Sequence, residues 1–213
     1  MKPVVVLISG RGSNMDALLA AGVPVSAVIA NRADARGLES ARSRGVRIAV
    51  VEHRAFASRD AFDAALAAEI DRHEPALVAL AGFMRVLTPA FVARYAGRLM
   101  NIHPSLLPAF PGLDTHRRAC VTGARLHGAT VHFVSTEVDS GPILAQVAVP
   151  VLPDDDAERL GARVLRVEHR LYPMALKLVA GGAAQLAGDR VVYDRDVMSA
   201  TDAALFSPPD REG

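Results

Sequence analysis

The chain has 213 residues, 51% hydrophobic and 22% charged, which excludes disorder for its body and suits one large domain or two small ones. Its 24 basic and 23 acidic side chains leave a net charge of +1, with no electrostatic footprint for nucleic acid or an anionic membrane. Cys120 is the single cysteine, which excludes an internal disulfide and a cysteine-built zinc cluster and fits a reducing compartment. The apolar stretches near the start, such as Val4 to Ile8, are too short to span a bilayer. No basic region followed by an apolar run and a cleavage site opens the chain, so a cytoplasmic protein is expected.

Val4 to Ile8 is a continuous apolar run dominated by β-branched residues, the mark of a strand buried on both faces of a parallel sheet. It stops at Ser9-Gly10-Arg11-Gly12-Ser13-Asn14, after which Met15, Leu18 and Leu19 give a helical pattern. Val25 to Ile29 reads as a second strand, Gly37 to Arg44 as a helix ended by Gly45, and Arg47 to Val51 as a third strand. Ser58 to His73 is an amphipathic helix with Phe62, Leu66 and Ile70 on one face. Ala76 to Ala81 is a fourth buried strand, Pro89 to Tyr95 a short helix and Leu99 to Ile102 a fifth strand. From Pro104 onward, Pro108, Pro111 and Gly112 predict a long ordered loop.

Ala129 to Val134 and Ile143 to Val151 alternate more and read as a hairpin-like antiparallel pair, followed by a long helix over Asp156 to Val179. A weak strand pair is expected near Ala184 to Val192 and a frayed tail over Ser207 to Gly213. Repeated strand–helix alternation predicts an α/β fold. The expected form is a mostly parallel twisted sheet flanked by helices, Rossmann-like in its N-terminal half, with an antiparallel section in the C-terminal half. A single domain is expected over 1–213, with lobes at 1–100 and 101–206 and a tail at 207–213.

Three constellations could carry chemistry. The Ser9 to Asn14 turn lies between a buried strand and a helix, where main-chain N–H groups and the helix dipole can hold an anion. It lacks the Gly-Lys-Ser/Thr of a P-loop and the third glycine of a dinucleotide fingerprint, which favours a monophosphate over a pyrophosphate. A tight turn capped by Ser13 or Asn14 accounts for it equally well. In Asn101-Ile102-His103-Pro104, period-two alternation turns Asn101 and His103 to one face, at the C-terminal end of a central strand. An amide beside an imidazole can hold an oxyanion and move a proton, whereas the plainer alternative is a loop-capping Asn and a His satisfied by backbone.

Asp139, in a turn constrained by Gly141-Pro142, would favour an imidazolium at His103 if the two met, although an Asp before Ser-Gly is by itself usually a turn residue. The remaining histidines, His116, His127, His132 and His169, are too scattered for metal-ligand spacing, so no metal is expected. His53 and His73 read as surface positions. His132 alternates with Thr130 and Val134 and is placed to line a cleft.

Ser9-Gly10-x-Gly12-Ser13-Asn14, Ala81-Gly82-Phe83-Met84-Arg85-Val86-Leu87, Asn101-x-His103-Pro104-Ser105-Leu106-Leu107-Pro108 and Asp139-x-Gly141-Pro142 occur in order across nearly the whole chain. They continue through Glu168-His169-x-x-Tyr172-Pro173. Together they resemble the folate-dependent formyltransferase superfamily. Gly-x-Gly-Ser-Asn at the first turn and Phe110-Pro111-Gly112-Leu113 narrow the likeness to its phosphoribosylglycinamide branch. Asp114 departs from that pattern, which often has His there.

The resemblance implies transfer of a formyl group from 10-formyltetrahydrofolate, as co-substrate, to the amine of 5'-phosphoribosylglycinamide in purine biosynthesis. It implies Asn101, His103 and Asp139 as the catalytic trio. Gly12, Ser13, Asn14 and Glu168 would hold the nucleotide. Arg59, Met84, Arg85, Val86 and Leu87 would hold the folate, with Asn101 and the loop Ser135, Thr136, Glu137, Val138 and Asp139. Partners are expected to be small molecules, with no nucleic acid and no membrane, and the protein a monomer or homodimer. A methionyl-tRNA formyltransferase would carry a further C-terminal domain and a basic surface, and a formyltetrahydrofolate hydrolase an N-terminal regulatory domain. A non-catalytic nucleotide- or folate-binding module would have no use for the trio.

Overall fold

Strands apolar on both faces need cover on both sides, and the computed structural model, which describes residues 2–194, has that form. The strands β1 (Val4–Ile8), β2 (Val25–Ala30), β3 (Arg47–Val50), β4 (Leu77–Leu80) and β5 (Leu99–His103) pair in parallel. Two more, β6 (Leu126–Phe133) and β7 (Ile143–Pro150), join antiparallel. One seven-stranded sheet results, ordered β3-β2-β1-β4-β5-β6-β7 and continuous across residue 100. Helices α1 (Ser13–Ala20), α2 (Gly37–Ser43), α3 (Arg59–Asp71), α4 (Pro89–Arg94), α5 (Thr115–Val121) and α6 (Ala157–Ala180) connect and flank it. The strands β8 (Ala184–Ala187) and β9 (Arg190–Tyr193) form a separate antiparallel pair. The frayed tail expected at Ser207 to Gly213 lies outside the described residues.

β1 shows why the first run is apolar throughout. Val4, Val6 and Ile8 pack with Met15, Leu18, Leu38 and Tyr172, while Val5 and Leu7 pack on the other face with Phe62, Leu66, Ile70 and Tyr95. Each such side chain contributes about 1.5–3 kcal/mol on burial, so both layers depend on this strand. The Tyr172 hydroxyl donates to the Leu80 carbonyl at 2.9 Å, which ties α6 to the sheet. Ser58 and Thr88 cap α3 and α4, their side chains accepting the N–H groups of Ala61 and Phe91.

The sheet order runs from β1 outward to β2 and β3 on one side and to β4 and β5 on the other. The connections therefore diverge between β1 and β4 and leave a crevice at the C-terminal ends of these strands. Three expectations are corrected. The stretch after Pro104 contains α5, which starts after Asp114 at φ 56 with no side-chain cap and so gives no start signal. β6 begins at Leu126 rather than Ala129 because Gly128 lies inside it; a Cβ there would fall 1.9 Å from the Val147 carbonyl oxygen, so the glycine permits close pairing rather than ending the strand.

His53 and His73 are half-buried rather than surface residues. The His53 ring meets Phe62 edge-on with Nδ1 2.7 Å from the Asn31 carbonyl oxygen, and His73 Nε2 lies 3.4 Å from Glu69.

Candidate active site

The first wall of the crevice is the turn that follows β1. Gly12 has φ 78, and a Cβ on it would come within 2.9 Å of Gly37 Cα, so this position needs glycine both for its conformation and for the approach of α2. The first intrahelical bond of α1 runs from the Asp16 N–H to the Gly12 carbonyl at 2.8 Å. The N–H groups of Ser13, Asn14 and Met15 precede it, and no side chain caps them. They form a main-chain donor cluster at the positive end of the helix dipole. The expected Ser13 or Asn14 cap is absent. Instead, Asn14 Nδ2 donates to Glu168 Oε2 at 2.6 Å, and Asn14 Oδ1 is buried without a partner. Burial pushes the Glu168 carboxyl above the usual carboxylate range, while the Asn14 bond acts in the opposite direction.

The second wall is the meeting of β5 with β6. Asn101 stands opposite His132, and His103 opposite Thr130. His132 Nδ1 lies 3.0 Å from the Phe133 carbonyl oxygen, an acceptor, so this nitrogen carries the proton. Its Nε2 is left as an acceptor, and Asn101 Nδ2 donates to it at 3.2 Å. Burial lowers the His132 pKa, in keeping with a neutral ring. One N–H of Asn101 is thereby fixed, and its amide orientation with it.

His103 is 6% exposed, and both its ring nitrogens face acceptors: Nε2 the Phe110 carbonyl at 3.0 Å and Nδ1 the Asp139 carboxylate at 3.3 Å. A doubly protonated ring satisfies both. Asp139 sits at φ 53, a left-handed conformation that Asp tolerates, and its Oδ2 also accepts the Gly112 N–H at 2.8 Å. Its Oδ1 lies 3.8 Å from His132 Nε2. The turn residue Asp139 thus joins the loop after β5 to both histidines. The loop itself is pinned by Thr130, whose Oγ1 donates to the Ser105 carbonyl at 2.7 Å and accepts the Leu107 N–H at 3.0 Å.

The third wall is the segment after β4. Met84 and Val86 are 70% and 54% exposed, whereas Phe83 and Leu87 are buried in the core beneath. Leu87, expected to touch folate, therefore faces inward. The Arg85 guanidinium lies 6.0 Å from the Phe62 ring centroid, and its buried Nε has no partner. Arg59 is the exposed first residue of α3. Ser135 Oγ donates to the Glu137 carbonyl, and Thr136, Glu137 and Val138 are exposed on the same loop as Asp139.

The structure brings Asn101, His103, Asp139 and His132 together, and separately joins Asn14 to Glu168. His132 was legible as a cleft residue from its alternation, but not as the partner that orients Asn101. His116 and His127 are a second pair, Nδ1 to Nε2 at 3.1 Å, with burial depressing the pKa of His127 to about 4. Among the described residues no group of three or more His, Cys, Asp or Glu side chains could hold a metal ion, and no helix is long and apolar enough to cross a membrane.

Residues 2–176 match the family model described as formyl transferase. The chain is 50% identical over 185 residues to phosphoribosylglycinamide formyltransferase of Escherichia coli (strain K12), covering 84% of this chain and 87% of that protein. It is 40% identical over 199 residues to the enzyme of that name from Haemophilus influenzae, covering 91% and 93%. Among solved structures, phosphoribosylglycinamide formyltransferase from Coxiella burnetii superimposes with a TM-score of 0.87 at 43% identity, covering 91% of this chain and 93% of that one. With the sheet order, the placement of Asn101 and His103 on β5 and the family match over most of its length in agreement, the chain belongs to the formyl transferase family.

Proposed function

We propose that the chain transfers the formyl group of 10-formyltetrahydrofolate to the amine of 5'-phosphoribosylglycinamide. The products are the N-formyl nucleotide and tetrahydrofolate, in the purine-building sequence named for several of its relatives. The observation that carries this reading is the convergence of His103, Asp139 and the His132-oriented Asn101 at the end of β5, within the crevice that the anion turn also borders.

The residues present suit both substrates. The main-chain donors at Ser13 to Met15 fit one phosphate dianion. Exposed Met84 and Val86 offer an apolar ledge for a flat heterocycle, and the half-buried Arg85 between them supplies a guanidinium charge that suits a carboxylate-bearing tail.

When the amine nitrogen bonds to the formyl carbon, charge develops on the formyl oxygen. The Asn101 N–H not spent on His132 can meet that charge, and a protonated His103 can share it. The His103 Nε2 proton rests on the Phe110 carbonyl, so the substrate oxygen has to compete with that carbonyl for it. Asp139 holds the other end of the ring as an acceptor and keeps the charged form satisfied. The tetrahedral centre collapses as the bond from the formyl carbon to the folate nitrogen breaks. The attacking amine loses a proton and the departing nitrogen gains one, with His103 and Asp139 placed to relay protons through water. The reaction is placed in the cytoplasm, on small-molecule substrates.

The test is consumption of 10-formyltetrahydrofolate by the purified protein with and without the nucleotide. Nucleotide-dependent turnover supports the proposal, and binding of both ligands without turnover would make the chain a binding module.

A further inference from the structure

Ser9 opens the first motif, directly after β1, and the mechanism above gives it no role. It is 8% exposed, and its Oγ accepts the Met84 N–H at 2.8 Å. Ser9 begins the turn that leads to the main-chain donors at Ser13 to Met15, and Met84 begins the exposed ledge after β4. The bond therefore spans the crevice between β1 and β4, where the connections diverge, and links its first and third walls through one hydroxyl.

The segment that carries the ledge is anchored elsewhere by groups remote from the anion turn. Phe83 and Leu87 plug into the core below it. At its far end the Thr88 N–H donates to the buried carboxylate of Asp63 on α3, at 2.6 Å. Ser9 is the anchor that belongs to the turn. The turn is braced on its other side by the Gly37 N–H, which donates to the Gly10 carbonyl at 3.0 Å. A shift of the turn toward a bound anion is thus resisted at Gly37 and passed through Ser9 Oγ to the Met84 amide. A serine hydroxyl accepts this N–H and keeps a proton to donate, which alanine cannot do.

We propose that Ser9 is a positioning residue that presets the Met84 to Leu87 segment from the anion turn, so that occupancy of the nucleotide site firms up the site of the formyl donor. The inference rests on the substrate assignment proposed above. It goes beyond that assignment by coupling the two half-sites through a side chain that touches neither substrate. Linkage makes the coupling reciprocal, so the donor tightens nucleotide binding by the same factor.

Two measurements on the full chain test it. Hydrogen exchange at the Met84 amide of the wild-type protein is followed with and without the nucleotide, and exchange is expected to slow when nucleotide binds. Steady-state constants are then compared for Ser9→Ala and Ser9→Thr. Loss of one buried hydrogen bond to the segment should raise the KM of the formyl donor about fivefold in Ser9→Ala. The nucleotide KM at low donor concentration and kcat should stay close to wild type, and Ser9→Thr, which keeps the hydroxyl, should restore the donor KM. An unchanged Met84 exchange rate on nucleotide binding overturns the coupling, whatever the variants do. An unchanged donor KM in Ser9→Ala, or equal rises in both KM values, overturns the positioning role. Arg85→Ala separates this failure from failure of the underlying assignment: if its donor KM is also unchanged, the segment is not the donor site at all.

Discussion

Two of the three walls of the crevice are built from different materials. The wall at β1 and α1 offers main-chain N–H groups shaped by Gly12 that no side chain caps, since Ser9 and Asn14 bond elsewhere, to Met84 and Glu168. The wall at β5 and β6 offers side chains in a chain of contacts from Phe133 through His132 to Asn101, and from Phe110 through His103 to Asp139. The parallel strands end in helices and so supply dipoles and unbonded amides, which hold a fixed charge. The antiparallel pair places residues directly opposite each other, which lets one ring set the orientation or proton of its neighbour. Binding is thus assigned to backbone and chemistry to side chains, and variants should separate the two.

The largest effect is expected at the chemical wall. His103→Ala removes charge stabilisation and proton transfer together and should lower kcat about 10³-fold with the fold intact. Stopped or steady-state turnover beside a thermal melt checks this, and near-wild-type kcat would erase the contrast. At the other wall Gly12→Val should weaken nucleotide binding severely and cost stability, since valine must adopt φ 78 against Gly37. Ser13→Ala should act more mildly. A side-chain bond to a charged group is worth roughly 1.5–3 kcal/mol, so the nucleotide KM should rise about tenfold or more while the donor KM holds. A rise in the donor KM instead would mean the two halves of the cleft are exchanged.

Much of this was legible in the chain, and the reasons are local. β1 announced itself because Val4 to Ile8 must fill two cores at once. Asn101 and His103 share a face by strand geometry alone. α5 was hidden because its first residue follows a left-handed Asp114 that supplies no cap. The strand over Ala129 to Val134 starts late because sequence does not show that, at Gly128, a neighbouring strand needs the space. The contacts of Asp139 with His103 and of Asn14 with Glu168 were beyond reach for a different reason. They join distant stretches whose meeting depends on the sheet order; the resemblance to known proteins grouped these residues in one site, and the contact between Asn14 and Glu168 was not among its implications.

A smaller effect should appear in stability against pH. Burial raises the folded-state pKa of Glu168, so the folded protein binds that proton more tightly than the unfolded chain. The sign is unfavourable as pH rises: stability from this group is full below the ordinary carboxylate pKa and is lost as pH climbs toward the raised value. Glu168→Gln should remove this dependence, shifting the melting temperature relative to wild type by a few degrees at neutral pH and less in acid. Equal shifts at all pH values would show that burial does not raise this carboxyl's pKa on folding.

The buried His116–His127 pair acts with the opposite sign. With His127 at about 4, stability is present above the ordinary histidine pKa and declines as pH falls toward that value. Melting temperatures of wild type and His127→Gln across this range should converge in acid.

The division between a wall that binds and a wall that reacts is tested most directly by following an isotopically labelled formyl group by NMR. The protein is mixed with labelled 10-formyltetrahydrofolate and 5'-phosphoribosylglycinamide. The account predicts that the label moves to the glycinamide nitrogen, that His103→Ala binds both molecules but moves almost none of it, and that omitting the nucleotide leaves the label on the folate. Label released as free formate, with the nucleotide unmodified, would contradict it.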